Sequence, residues 1–392
     1  MNKHNSVPNI RFEGFEDEWE EKKFSTLVNR KSHITSDSSL LSVEYENISP
    51  DNHEIHKNFN NKKGIFFQKG DILFGKLRPY LKKYVLAFYE GKAVGDFWVL
   101  SPKKDIYSRF AFYLIQTHKF YMVSNLSSGT KMPRSDWNLV SNSFFYVCNI
   151  EEQQKIGNFF AKLDKLLDLQ QQKIDKLELL KKTLLQELFP KHDAKIPELR
   201  YREFEDNWII YSFSGLLIKN SSKNKNLEVE NIESISNKNG FTKQSEQFDG
   251  YRVASLDLSN YYVIKGNQFA YNPSRINVGS IAYKRKGEKD SIISPLYVSF
   301  STKNNINDIF LWYWFRTSSF KKQRIQFSEG GVRDTLPFEN LKKMRIKLPR
   351  LNEQQKIGNL LSKVDQLIEL ENKKLQNLQQ VKKCLLQNMF VE

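Results

Sequence analysis

Cysteine is scarce in this chain: 392 residues hold two, Cys148 and Cys384. That excludes a disulfide framework and fits a reducing compartment, so a cytoplasmic location is expected. Long apolar runs are also missing. No stretch reaches the ~18 residues that a membrane-spanning helix requires. The opening MNKHNSVPNIRFEGFEDEWEEKK lacks the apolar segment of a secretory signal.

Catalytic signatures are sparse too. There is no GxxxxGK[ST], which excludes a P-loop motor, and no GxGxxG follows a strand. His53-Glu54-Ile55-His56 lacks the i, i+4 histidine spacing of a zinc protease and reads as a polar loop. Two distant cysteines are too few for a cysteine-rich zinc site. Asn272-Pro273-Ser274-Arg275 matches the Asn-Pro-Pro-aromatic motif of amino-methyltransferases only in part, without the second proline or the aromatic. Asp71 with Glu90-Gly91-Lys92 fits a metal-dependent nuclease pattern so short that chance explains it. Without a positioned carboxylate cluster, phosphodiester hydrolysis has no metal site.

What is present is length, charge and repetition. The chain is long enough for two or three domains, and 39% hydrophobic residues make it globular. A formal net charge of +16 favours a polyanionic partner, nucleic acid or an acidic membrane surface. Glu152–Phe189 aligns without a gap to Glu353–Phe390 at an offset of 201, with 19 of 38 positions identical. Upstream, Val7–Leu27 matches Ile196–Leu216 through recurring Pro, Arg, Phe, Glu, Asp, Trp, Phe, Ser and Leu. The chain is therefore two copies of one unit: a lead-in, a variable block and a helix.

Both copies of the helix carry apolar residues at spacings of three and four. The first runs Ile156, Phe159/Phe160, Leu163, Leu166/Leu167, Ile174, Leu177, Leu180, Leu184 and Leu188. The second runs Ile357, Leu360/Leu361, Val364, Leu367/Ile368, Leu375, Leu378, Val381, Leu385 and Met389. Each predicts a helix roughly 57 Å long, whose stripe is buried by pairing with the other copy as a coiled coil. Gln170 and Glu371 interrupt the two stripes at the same place. Two readings stand: the polar pair fixes register, or it faces a partner subunit.

The helix at 151–189 is neutral and that at 352–390 carries +2, whereas residues 1–150 carry +5 and residues 190–351 carry +10. The positive charge thus belongs to the variable blocks, the pattern expected of DNA-touching modules on a neutral ruler. Each block mixes short β-branched and aromatic runs with Gly, Pro and Asn turns, and holds a short amphipathic helix near 108–125 or 307–326. The expected fold class is α+β. The expected segments are a first block at 1–150, a helix at 151–189, a second block at 190–351 and a second helix at 352–392.

Basic and amide side chains on loops between strands are the candidate DNA contacts. In the first block these are Lys76, Arg78, Lys82 and Lys83 in GKLRPYLKK, then Lys131 and Arg134 after SSGT. In the second they are Asn272 and Arg275 in YNPSR, the run Lys284, Arg285 and Lys286, and Arg333 after a Gly pair. Arg can grip guanine and Asn adenine bidentately, while Lys more often meets phosphate.

The lead-ins PNIRFEGFEDEW and PELRYREFEDNW, the strand GDILFGKLRPYLKK, the SSGT loop and the twin EQQKIG openings together resemble the specificity subunits of type I restriction-modification systems. The resemblance covers nearly the whole chain. It implies two target-recognition domains, here 20–150 and 208–351, each reading half of a gapped DNA site. It implies two conserved helices in an antiparallel coiled coil, arranged as a pseudo-two-fold repeat, that space the domains and dock two modification subunits. Those subunits bind S-adenosylmethionine and methylate adenine at N6. Restriction subunits, which use ATP and Mg²⁺ to translocate and cut DNA, join the complex. The chain itself would bind no cofactor and carry no catalytic residue. The second block departs from the pattern, with GNQFAYNPSRINVG for the GDILFGKLRPYLKK type and SEGGVRDT for the SGT type, and reads as a different recognition subclass. The competing readings are a stand-alone nuclease or methyltransferase, and a coiled-coil scaffold for acidic proteins or membrane.

Overall fold

The computed structural model describes residues 6–48, 59–126, 132–191, 194–237, 240–243, 257–330 and 334–392. It divides into two compact units, Met1–Ile174 with Glu371–Glu392, and Asp175–Leu370. The four consecutive segments read from the sequence partition the chain differently, because each long helix is shared between the units.

The repeat reappears as matching elements. In the first unit a four-stranded antiparallel sheet has the order Val28–Lys31, Phe97–Pro102, Ile72–Gly75, Tyr84–Leu86. The second unit has Leu217–Lys219, Val298–Thr302, Gln268–Tyr271, Ile281–Lys284 in the same order. Side chains alternate across a strand, and here the alternation feeds two cores. Ile72, Phe74, Trp98 and Leu100 enter one cluster, while Leu73, Val85, Phe97 and Val99 enter another. That double burial explains the nearly continuous apolar run ILF.

The first unit adds a second sheet in the order Ile34–Thr35, Gly64–Phe67, Gly91–Ala93, Leu41–Val43, the last pair parallel. Among the described residues the second unit has two strand pairs instead, Glu233–Ser236 with Gly240–Lys243, and Tyr262–Ile264 with Ser291–Ile293. The run YRVASLDL lies mostly outside the described residues.

The single amphipathic helix expected in each block is two helices. Ser108–Leu114 and His118–Asn125 are separated at Thr117, and Asp308–Trp314 and Ser318–Phe327 at Thr317. Each threonine is extended and accepts a hydrogen bond from the backbone N–H of Phe120 or Phe320 at 3.4 Å, capping a new helix rather than continuing the old one.

The lead-in strand Glu20–Lys23 pairs with Phe144–Val147, and Ile209–Ser212 with Arg345–Leu348, closing each head just before its long helix. The long helices are Ile150–Glu187 and Leu351–Asn388. Their EQQKIG openings clasp the heads. Glu152 accepts two hydrogen bonds from Arg11, each at 2.8 Å, and Glu353 two from Arg200 at the same length. Gln153 accepts from the Tyr107 N–H at 2.9 Å, and Gln354 from the Asn307 N–H at 2.8 Å. Gly157 lets the helix approach so closely that a Cβ there would meet the Phe110 nitrogen at 2.9 Å. Two turns further along the long helix, Tyr113 donates to Asp164 at 2.7 Å and Tyr313 to Asp365 at 2.8 Å; burial beside these carboxylates pushes both phenols well above their ordinary range.

Within each unit the two helices pair. In the first, Asp164 meets Lys382 at 2.7 Å, and Gln170 donates to the Glu371 carbonyl at 3.0 Å and its carboxylate at 2.6 Å. Numbers rise along one helix as they fall along the other, so the pairing is antiparallel. In the second unit Lys181 meets Asp365 at 2.5 Å. Gln170 and Glu371 are buried against each other, so the polar interruption is a register contact and not a partner-facing gap. The apolar stripe is narrower than its spacing implies. Leu166, Leu180, Leu367 and Val381 are exposed, because two helices in contact cover only one flank of a stripe this wide.

Candidate nucleic-acid interface

In the first head three loops converge. The loop after strand Ile72–Gly75 is tied to the loop before Phe97–Pro102 by the Lys76 N–H donating to the Asp96 carbonyl at 2.9 Å. It is tied to the loop before the helix Trp137–Asn142 by the Arg78 N–H donating to the Pro133 carbonyl at 2.7 Å. The Ser135 N–H donates to the Lys76 carbonyl at 2.9 Å, and the Tyr45 hydroxyl to the Leu77 carbonyl at 2.8 Å. These bonds bring together Lys76, Arg78, Lys82 and Arg134, four of the six expected cations of this head.

Arg78 (φ 48°) and Lys82 (φ 52°) both adopt the left-handed region, on either side of the short helical turn Pro79–Leu81. Such backbone costs non-glycine residues free energy and concentrates at functional sites. Both side chains are exposed, and the Lys82 ammonium lies 5.7 Å from the centre of the Tyr121 ring. Lys83 differs. It is half-buried over the Tyr45 ring and donates to the Ile48 carbonyl.

Arg134 is held by Asp96, with Nε at 3.3 Å and Nη2 at 3.0 Å from its two oxygens, and the Lys76 ammonium stands 3.7 Å from the same carboxylate. The pairing raises the Arg134 pKa further above its ordinary value, chiefly through the hydrogen bonds. Asp96 was not among the residues singled out in the sequence. Its signal there is slight: one acid between two strands of a basic block.

In the second head, Asn272 accepts from the Ser274 N–H at 3.1 Å, forming an Asx turn, and Arg275 is exposed beside it. Arg285 and Lys286 are exposed at a turn that Gly287 completes with φ 88°. Lys284 corrects the expectation. Its ammonium is buried, ion-paired with Glu233 at 2.7 Å and hydrogen-bonded to Ser291 at 3.0 Å. A cation so enclosed cannot reach a duplex. Lys131 and Arg333 lie outside the described residues, as does His53-Glu54-Ile55-His56.

The short nuclease-like pattern is occupied by structural bonds. Asp71 pairs with Lys31 at 2.6 Å, and fully buried Lys92 donates to the carbonyls of Asp37 at 2.8 Å and Asn60 at 2.7 Å.

Residues 16–179 and 219–380 each match the family model of the type I restriction modification DNA specificity domain. The chain belongs to that family, as the lead-ins and twin helices imply. It is similar to the type I restriction enzyme MjaVIII specificity subunit of Methanocaldococcus jannaschii, 22% identical over 298 residues that cover 71% of this chain and 68% of that one. It is also 22% identical over 341 residues to the putative type I restriction enzyme MjaX specificity subunit of the same organism, covering 81% and 76%. Its fold is similar to that of the type I restriction-modification system S subunit from M. genitalium, with a TM-score of 0.62 at 14% identity over 98% of this chain and 99% of that one. No helix among the described residues is long and apolar enough to cross a membrane.

Proposed function

We propose that this chain reads a bipartite, gapped duplex site, one half with each head, and directs the adenine-N6 methylation and the cutting that partner subunits perform. The observation that carries this reading is the contrast between frame and loops. Both heads are clasped to their helices by the same Arg–Glu, Gln–backbone and Tyr–Asp contacts. The loops they present differ, Lys76, Arg78 and Arg134 in one and Asn272, Arg275 and Arg285 in the other. One anchoring geometry with two surface chemistries suits one task on two targets, and the cationic blocks suit a phosphate backbone.

The coiled coil offers a docking face for two modification subunits. Leu166 and Leu367, Leu169 and Leu370, and Leu180 and Val381 are exposed at equivalent places in the repeat. Large apolar residues exposed at matching places in both copies suit a surface that docks the same kind of partner twice. S-adenosylmethionine, ATP and Mg²⁺ serve the partners, the chain itself is non-catalytic, and the complex works in the cytoplasm.

Mapping N6-methyladenine in cells expressing the chain with a modification subunit tests the reading. A single gapped motif is expected. Methyl transfer or cleavage by the purified chain alone would overturn it.

A further inference from the structure

We propose that Asp96 is a positioning residue for base discrimination by the first head, acting through Arg134. The inference rests on the reading of the chain as a DNA specificity subunit.

A carboxylate in a loop cluster that meets phosphates opposes binding, so its presence there calls for a compensating role. Asp96 grips the Nε and Nη2 edge of Arg134 at 3.3 and 3.0 Å while the arginine side chain stays 51% exposed. The Nη1 edge stays available to the duplex. A free arginine spreads over many rotamers, and a guanidinium already fixed by a carboxylate loses less freedom when it meets guanine. The same carboxylate draws in Lys76 at 3.7 Å, and its backbone carbonyl accepts from the Lys76 N–H, so one residue orders two of the three converging loops.

The second head shows that the frame does not need this acid. Thr335 stands where Arg134 does, Pro273 where Lys76 does, and Leu296, two residues before the matching strand, where Asp96 does. There the equivalent loops meet through neutral groups, with the Ser274 and Thr335 hydroxyls 3.4 Å apart and the Leu336 N–H donating to the Pro273 carbonyl at 3.1 Å. A charged clasp at a position that the duplicated scaffold fills with neutral residues belongs to what the head reads, not to how it folds.

The test is selection of a randomised duplex library by the full chain in complex with its modification subunit, followed by sequencing. Asp96→Asn should blur one or two positions in one half of the selected motif, lowering discrimination there about tenfold or more. The other half serves as an internal control and should be unchanged. Affinity for random duplex at low salt should rise, since a negative charge has been removed. Arg134→Lys should blur the same positions, and Asp96→Glu should restore part of the preference. Should Asp96→Asn fail to fold, Arg134→Lys carries the test, being a surface change that keeps the charge. An intact motif in Asp96→Asn or, where that variant is unfolded, in Arg134→Lys overturns the proposal, as does loss of every position in that half. Failure of the unaltered chain to select any gapped motif sinks the underlying reading instead.

Discussion

Arg11 and Glu152 meet edge to edge, two nitrogens each 2.8 Å from a carboxylate oxygen, with the glutamate side chain only 1% exposed. The arginine also donates to the Asp17 carbonyl at 2.7 Å, so the lead-in folds back on itself as it grips the helix. Arg200, Glu353 and the Asp206 carbonyl repeat every contact in the other unit.

Arg11→Ala should therefore cost about 3–5 kcal/mol, because it leaves the Glu152 carboxylate buried without its partner. Urea unfolding measures the loss. Replacing both residues by apolar ones of similar volume should cost less than the single change, and an unchanged midpoint for Arg11→Ala would remove the clasp from the interactions that hold the head.

The Glu371 carboxyl is held below its ordinary range, first by the hydrogen bond from Gln170 and next by that from Lys173 at 2.6 Å. A carboxyl depressed in the folded state adds stability that is complete above the unfolded value of about 4.5 and disappears as pH falls through the folded value. Glu371→Gln should thus melt lower than the unaltered chain at neutral pH, and the gap should close on acidification below that point. A gap independent of pH would show that the charge contributes nothing.

Lys284 and Arg78 should separate cleanly. Lys284→Ala strands Glu233 in a largely buried place and should lower the melting temperature with little effect on duplex affinity. Arg78→Ala should leave melting nearly unchanged, weaken duplex binding, and reduce the salt slope by about one if the arginine meets a phosphate. Titrations of fluorescent duplex at several salt concentrations distinguish the two, and the reverse pattern would reassign both residues.

Substituting Leu166 and Leu367 together by Gln should change stability by no more than about 0.5 kcal/mol per site, since both are exposed. Co-purification with a tagged modification subunit should fall sharply. Full retention of the subunit would place the docking face elsewhere.

Much of this arrangement is legible in the sequence because it is written twice. The repeat fixes where both long helices begin to within two residues, and EQQKIG turns out to encode contacts at most of its positions: Glu to the lead-in arginine, Gln to a loop backbone, Ile to the core, Gly to the neighbouring helix. What stays hidden depends on pairings across the chain. Lys284 looks like the first member of a surface run, and only Glu233, 51 residues away, shows that it points inward. Thr117 reads as one polar residue inside an apolar helix until its cap becomes visible. Leu166 and Leu180 have the spacing of seam residues, and spacing does not say how wide a seam two helices can cover. Asp96 is invisible to any search for cations, since its part is to hold one.

Phe390 packs on Trp19, Phe110 and Phe160, with ring centres 6.2, 5.2 and 6.1 Å apart. An aromatic two residues past the end of the second helix therefore completes the core of the first head. Domains ordinarily fold in the order of their synthesis. Here the first head is synthesised early, yet an aromatic that fills part of its core is among the last residues made.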